Sequence, residues 1–339
     1  MKSTMLGMRL EREIRAQPGV WTRLAQSTAA ARLAQALDDD VVLVGSGSSL
    51  FIAQLGGLAL RRRGLRATAL AATEARLDHR AYAGKTVVAI SQSGRSSDVL
   101  AALDTLAPRR LIALTNAIDS PLAARADWAI DVEAGSELAV PATKSVSATV
   151  AIVLRAASLL SGETSRDAAV LVDCAGAVSA WFEAPGYAEL VAAAGHIARR
   201  RSVIVLGSDY GLPIAHETAL KLKEASYLHA EGFAAGEFRH GSVAMVDASC
   251  AVLGIVDADA LDIVARPLRD LAKSDALRWT IGSPPIDTLP RLGPVVAEAY
   301  NSLAWLVSAQ LIALHAARAR GVDSDAPRGL TKALVSETP

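Results

Sequence analysis

Short apolar runs recur along this chain, and most are followed by a stretch of helical periodicity. Val41–Val44, Arg66–Ala71, Thr86–Ile90, Arg110–Thr115 and Trp128–Val132 read as strands, with helices between them. A second series starts at Ser202–Leu206 and continues at Ala251–Val256 and Leu277–Ile281. Elsewhere the pattern is helical: Met8–Ala16 and Trp21–Asp38, punctuated by Pro18-Gly19; Thr143–Leu160, ending at Gly162; two helices over Arg166–Arg200; and a helix from Leu212 to Tyr227. Short apolar strands alternating with helices predict a parallel sheet covered on both faces. A strand running into a Gly-Ser turn and then a helix occurs at Gly45 and again at Gly207, which predicts two copies of one nucleotide-binding-like α/β unit.

The expected organisation is an N-terminal helical segment over 1–40, an α/β domain over 41–165, a helical connector over 166–200, a second α/β domain over 201–320 and a polar tail over 321–339. The length allows two domains, and the 51% apolar content can fill two cores. With only 4% aromatic residues, Ala, Leu and Val must do most of that packing. Zero formal charge argues against a nonspecific nucleic-acid binder. The basic triplets Arg61–Arg63 and Arg199–Arg201 stand at predicted helix C-termini, where cations complement the dipole. Small molecules and further copies of the chain are the expected partners.

Cys174 and Cys250 fit no zinc or redox spacing, so two buried, reduced thiols in a cytoplasmic protein are expected. The N-terminus lacks the continuous apolar core of a signal peptide. No uncharged apolar run reaches the roughly 18 residues needed to span a bilayer. Val146–Ser161 is cut by Arg155, and Val295–Ala317 carries Glu298, Asn301, Gln310 and His315, so both read as buried or interface helices.

Ser91-Gln-Ser-Gly-Arg-Ser96 lies where a strand yields to a helix. Such a turn aims backbone N–H groups and a helix dipole at one spot, which favours an anion. Its hydroxyls and amide suit a phosphate monoester, and without Gly-Lys-Ser/Thr it is no P-loop. Gly45-Ser-Gly-Ser-Ser49 is a similar loop, but Leu50 stands where a dinucleotide fingerprint needs its third glycine. Taken alone, a Ser/Gly loop reads first as an ordinary turn, and Ser96 or Asp98 would simply cap the helix after the Ser91 loop. Two such loops at the C-terminal ends of parallel strands favour an anion site.

On the Leu212–Tyr227 helix, Glu217, Lys221 and Glu224 fall at i, i+4 and i+7 and share one face. The bland alternative is an exposed Glu–Lys pair. The flanking Ala219, Leu220, Leu222 and Ala225 leave only a narrow polar stripe, however, and His240 follows in a Gly-bracketed turn suited to presenting a side chain. An ammonium, a carboxylate and an imidazole are the groups that proton-shuffling chemistry needs. His79, His196, His216, His229 and His315 read as structural, and no metal-ligand spacing occurs.

The stretch Ala219-Leu-Lys-Leu-Lys-Glu-Ala-Ser-Tyr-Leu-His-Ala-Glu231, with Ala235-Gly-Glu-Phe-Arg-His-Gly241, resembles the isomerase half of glucosamine-6-phosphate synthase, a member of the SIS (sugar isomerase) family. Ser91–Asp98 and Pro327-Arg-Gly-Leu-Thr-Lys332 resemble it as well. The resemblance implies two tandem SIS domains, each a parallel sheet flanked by helices in a three-layer αβα, flavodoxin-like arrangement. It implies that Ser91, Gln92, Ser93 and Ser96 hold a sugar phosphate, with Ser48 and Ser49 close by and Val140 near the sugar. It further implies Glu224 as the base moving a proton between C1 and C2, His240 as the group that opens the ring, and Lys332 as the active-site lysine of the tail. In that role Lys332 stabilises an oxyanion or forms a Schiff base. Lys221 positions groups or stabilises the intermediate, and Glu217 is a weaker candidate. Without the motif Lys332 reads as a solvated tail lysine.

In the family the imidazole comes from the neighbouring subunit, so a homodimer with His240 donated across the interface is implied, with no cofactor and no metal. Lys2 stands where the synthase has its nucleophilic Cys, so glutamine is not expected as nitrogen source within this chain. Arg95, the opening Glu13-Ile-Arg-Ala-Gln-Pro18 and Pro-Arg-Gly-Leu resemble the stand-alone deaminases and deglycases more than the synthase. The expected activity is that of a glucosamine-6-phosphate deaminase releasing ammonia and fructose 6-phosphate. The alternatives are a fructosamine-6-phosphate deglycase and, in another class, a non-catalytic sugar-phosphate sensor.

Overall fold

The computed structural model describes residues 6–77, 80–162 and 164–332. His79 lies outside them. In chain order the elements are α1 (Met8–Leu24), α2 (Ala29–Ala36), β1 (Asp40–Gly45), α3 (Ser48–Arg61), β2 (Arg66–Ala71), α4 (Ala72–Ala75), β3 (Thr86–Ile90), α5 (Ser97–Leu106), β4 (Arg110–Thr115), α6 (Pro121–Arg125), β5 (Trp128–Asp131), α7 (Lys144–Leu160), α8 (Thr164–Trp181), α9 (Pro185–Ile197), β6 (Ser202–Gly207), α10 (Gly211–Ser226), β7 (His229–Ala234), α11 (Ala235–Phe238), β8 (Cys250–Val256), α12 (Leu261–Asp270), β9 (Leu277–Gly282) and α13 (Asn301–Ala319). The chain divides into two compact units. No single helix among the described residues is long and apolar enough to cross a membrane.

One unit comprises Gly19–Glu137, Lys144–Val172 and the segment from Thr331. Its five strands are all parallel, in the order β2-β1-β3-β4-β5. Each strand alternates its side chains between two faces. Val42, Val44, Val87, Ala89, Leu111 and Ala113 pack on Val99, Ala102, Leu103 and Leu106 of α5 and on Leu122 of α6. On the other face α3 lies against β1 and β2, with α7 against α3 and α2. Helix α7 is buried over most of its length, and its one charged interior residue is neutralised: Arg155 Nε donates to Asp167 Oδ2 at 2.9 Å, and its Nη1 donates to Leu24 O.

The other unit comprises the segment up to Pro18, Leu138–Thr143 and Asp173–Leu330. It repeats the plan with four parallel strands, β7-β6-β8-β9. Ile204, Leu206, Cys250, Val252 and Val256 pack on Ala235 and Phe238 of α11 and on Val264, Ala265 and Leu268 of α12. Helix α10 covers the opposite face, with α13 against it and α9 against α13. The repeat extends to the turns. A Cβ on Gly45 would fall 2.5 Å from the Ser49 carbonyl carbon, and one on Gly207 would fall 2.1 Å from Gly211 O, so each strand can enter its helix this tightly only as glycine.

Two expectations need correction. The chain does not break at Pro18-Gly19; α1 runs through, with Pro18 inside it. Proline cannot donate to the carbonyl four residues back, and Gln17 Nε2 does so instead, donating to Ile14 O at 3.1 Å and to Gln310 Oε1 at 2.7 Å. The break falls between α1 and α2. Likewise, the apolar stretch from Val295 becomes helical only with the short 3-10 piece Glu298–Tyr300 and then α13. Strand β7 has no counterpart in the hydrophobic pattern. It is an edge strand whose His229 and Glu231 face solvent, and only Ala230 is fully buried. Both cysteines are buried and unbridged, and burial pushes the Cys174 thiol up to about 12.

Candidate active site

In the first sheet the order β2-β1-β3-β4-β5 reverses direction between β1 and β3, and crevices at such switch points take ligands in open parallel sheets. The loops that leave these two neighbouring strands are the two Ser/Gly loops. Ser48 and Ser49 open α3 and are half-buried. Ser91 is buried, and Gln92, Ser93 and Ser96 are half-buried.

The second loop is built rigidly. Asn116 N–H donates to Gln92 O at 3.1 Å, Leu122 N–H donates to Gly94 O at 3.1 Å, and Arg95 N–H donates to Ser93 Oγ at 3.2 Å. Gly94 takes φ +60°, and a Cβ there would lie 1.9 Å from Ser120 Oγ. Ser96 is the residue before α5, but its side chain makes no capping hydrogen bond. The capping alternative for Ser96 therefore fails. Hydroxyls, an amide and the N-terminus of α5 together form a neutral, donor-rich lining of the kind that binds phosphate.

The same unit holds Lys332. Its Nζ lies 3.0 Å from Glu137 Oε2, so it is not a solvated tail lysine. Glu137 is buried and also accepts from Ser145 N–H at 3.1 Å and Ser145 Oγ at 2.7 Å at the start of α7. Glu137, three residues before Val140, is not among the residues that the sequence singles out. A single carboxylate entering an apolar loop before a buried helix was the available signal.

In the other unit, α10 carries Glu217, Lys221 and Glu224. Lys221 Nζ lies 2.5 Å from Glu224 Oε2 and 3.4 Å from Glu217 Oε1. The side chains of Lys221 and Glu217 are 3% and 2% exposed, whereas Glu224 keeps 22%. This rules out an exposed surface pair. Burial disfavours the charged ammonium, but the two carboxylates outweigh it and hold Lys221 above its ordinary pKa. The arrangement orients Glu224 by a short hydrogen bond from Lys221 Nζ and leaves part of its surface open.

His240 follows α11 in an exposed turn in which its N–H donates to Glu237 O at 2.9 Å. Val140 is half-buried, and its N–H donates to Asp325 O at 3.4 Å. Glu13 of α1 accepts from the two residues before it: Leu138 N–H at 2.5 Å and Ala139 N–H at 3.3 Å. The remaining histidines are bound into the scaffold or lie at its edge. His315 Nε2 is 3.0 Å from Tyr187 Oη and, mainly through burial, titrates at about 4. His196 meets Arg199, and exposed His229 meets Glu231. Arg61 and Arg200 donate to the carbonyls of Ala67 and Ala248 rather than forming a free basic patch. Among the described residues no cluster of His, Cys, Asp or Glu is arranged to hold a metal ion.

The structure thus gathers the loop serines, Gln92 and Lys332 in one unit, and Lys221, Glu224, His240 and Val140 in the other. The C-terminal domain of glucosamine–fructose-6-phosphate aminotransferase from Francisella tularensis shares the fold, with a TM-score of 0.83 at 23% identity, covering 94% of this chain and 98% of that one. So does glucosamine-6-phosphate deaminase from Thermotoga maritima, with a TM-score of 0.79 at 22% identity, covering 96% and 99%. Among curated proteins, the isomerizing glutamine–fructose-6-phosphate aminotransferase of Sulfurisphaera tokodaii is 30% identical over 302 residues, which cover 88% of this chain and 50% of the relative. The chain spans about half the length of the curated relatives it matches. The SIS domain model matches residues 37–159 and 196–292, one stretch for each sheet. The chain belongs to the SIS domain family and carries two SIS domains in tandem.

Proposed function

We propose that this protein is a glucosamine-6-phosphate deaminase of the SIS type. The observation that supports it best is Glu224: a carboxylate held in one orientation by a buried ammonium, while part of it stays open to a ligand. That is what a base for abstracting a proton from carbon requires. The Ser91–Ser96 loop, with Ser48 and Ser49, binds the phosphate through hydroxyls, amide and helix N-terminus. His240, supplied by the neighbouring copy of a homodimer, moves the proton that opens the ring, since an imidazole can both accept and donate a proton. Glu224 removes the C2 proton of the open amino aldose, leaving an enaminol, and returns it to C1 to give the 2-imine. Water then adds to C2. Its oxygen becomes the ketone of fructose 6-phosphate and the nitrogen leaves as ammonia. Lys332 contributes a cation to the oxygen that gains charge, and Val140 borders the sugar. The protons move between side chains and substrate, so the scheme calls on no metal or organic cofactor.

Glu224→Gln tests the assignment. The amide keeps the shape and a partner for Lys221 but cannot take a proton. Binding of glucosamine 6-phosphate measured by calorimetry should persist, while turnover falls by about 10²-fold or more. Full turnover in this variant would remove Glu224 as the base.

A further inference from the structure

Beyond the loops and the helix, the segment that leads to Lys332 is fastened at several points. Asp325 caps α1: its carboxylate accepts from Arg9 N–H at 3.0 Å and Leu10 N–H at 2.8 Å, and Asp323 accepts from Gly7 N–H at 3.1 Å. Ser324 between them is fully buried. A further anchor before Lys332 is Tyr227. This residue closes α10 in the left-handed conformation (φ +57°), three positions after Glu224. That conformation is costly for a non-glycine residue. It is accompanied by two contacts with the tail. Tyr227 Oη accepts from Arg328 N–H at 2.7 Å, and the Arg328 guanidinium lies 4.4 Å from the centre of the Tyr227 ring. The remaining surface of Arg328 is exposed, so its backbone and its planar head are held by one side chain.

We infer that Tyr227 is a positioning residue: it latches the tail to the end of the Glu224 helix and so sets where Lys332 is presented. The latch itself is independent of the substrate, and only the role of Lys332 rests on the deaminase reading. Two variants separate its two contacts. Tyr227→Phe removes the hydroxyl and keeps the ring. Arg328→Lys keeps the charge and loses the flat guanidinium stack.

The test is limited trypsinolysis, read by mass at the bond after residue 328, beside steady-state kinetics on glucosamine 6-phosphate. Trypsin must pull the residue-328 side chain off Tyr227 before it can cut there. Tyr227→Phe should raise that cleavage rate about fivefold relative to other sites, the effect of one ordinary hydrogen bond on a local opening equilibrium. The value of kcat/KM should fall by a similar factor, and Arg328→Lys should move both in the same direction. Unchanged cleavage after residue 328 in both variants would overturn the latch. Faster cleavage with unchanged kcat/KM would overturn its positioning role. A wild-type protein inert on the sugar would refute the deaminase reading instead and leave the latch to be decided by cleavage alone.

Discussion

The ammonium of Lys221 is almost wholly out of water, between two carboxylates of its own helix. Taking such charges from water is costly, and they are tolerated because each has a partner. Removing only the ammonium should therefore be worse than removing a surface charge. Lys221→Met leaves Glu217 buried beside an apolar side chain and should cost about 3–5 kcal/mol of stability in urea unfolding. Adding Glu217→Gln should recover much of that loss. A loss below about 1 kcal/mol in the single variant would mean that the pair does not hold the helix together. The spacing of these residues on one face was plain from the sequence. Their burial was not, because it comes from α13 and the sheet closing over α10, and these contacts are remote in sequence. Glu137 was hidden for the same reason, since its partner Lys332 is far along the chain.

At the scale of elements, α1 shows how a helix survives an internal proline. Gln17 replaces the missing backbone donor at Ile14 O and ties the site to Gln310 on α13. Gln17→Leu should destabilise by about 1–3 kcal/mol, since it strands a buried carbonyl and a buried amide. In a Pro18→Ala background the backbone N–H returns to Ile14 O, so the same change should cost measurably less. Equal losses in both backgrounds, measured by urea unfolding, would show that Gln17 acts through Gln310 alone. A proline next to a glycine is a sound stop signal from sequence, and here a single side chain overrides it. The central strands were legible because they are buried on both faces and so nearly continuous in apolar residues, with polar ones only at their ends. Strand β7 was not legible, since an edge strand with exposed His229 and Glu231 lacks that signature.

For the whole molecule, the Gly45 and Gly207 turns announced the duplicated α/β plan, and the structure repeats it down to the close approach of strand and helix. The candidate residues fall in both repeats: the two Ser/Gly loops and Lys332 in one, and Lys221, Glu224 and His240 in the other. The decisive measurement of the deaminase assignment is to incubate the protein with glucosamine 6-phosphate and measure ammonia and fructose 6-phosphate together, with a fructosamine 6-phosphate run alongside. A deaminase should release equimolar ammonia and fructose 6-phosphate from the free amino sugar, and Glu224→Gln should abolish that release. No product from glucosamine 6-phosphate, with glucose 6-phosphate released from the fructosamine, would contradict it.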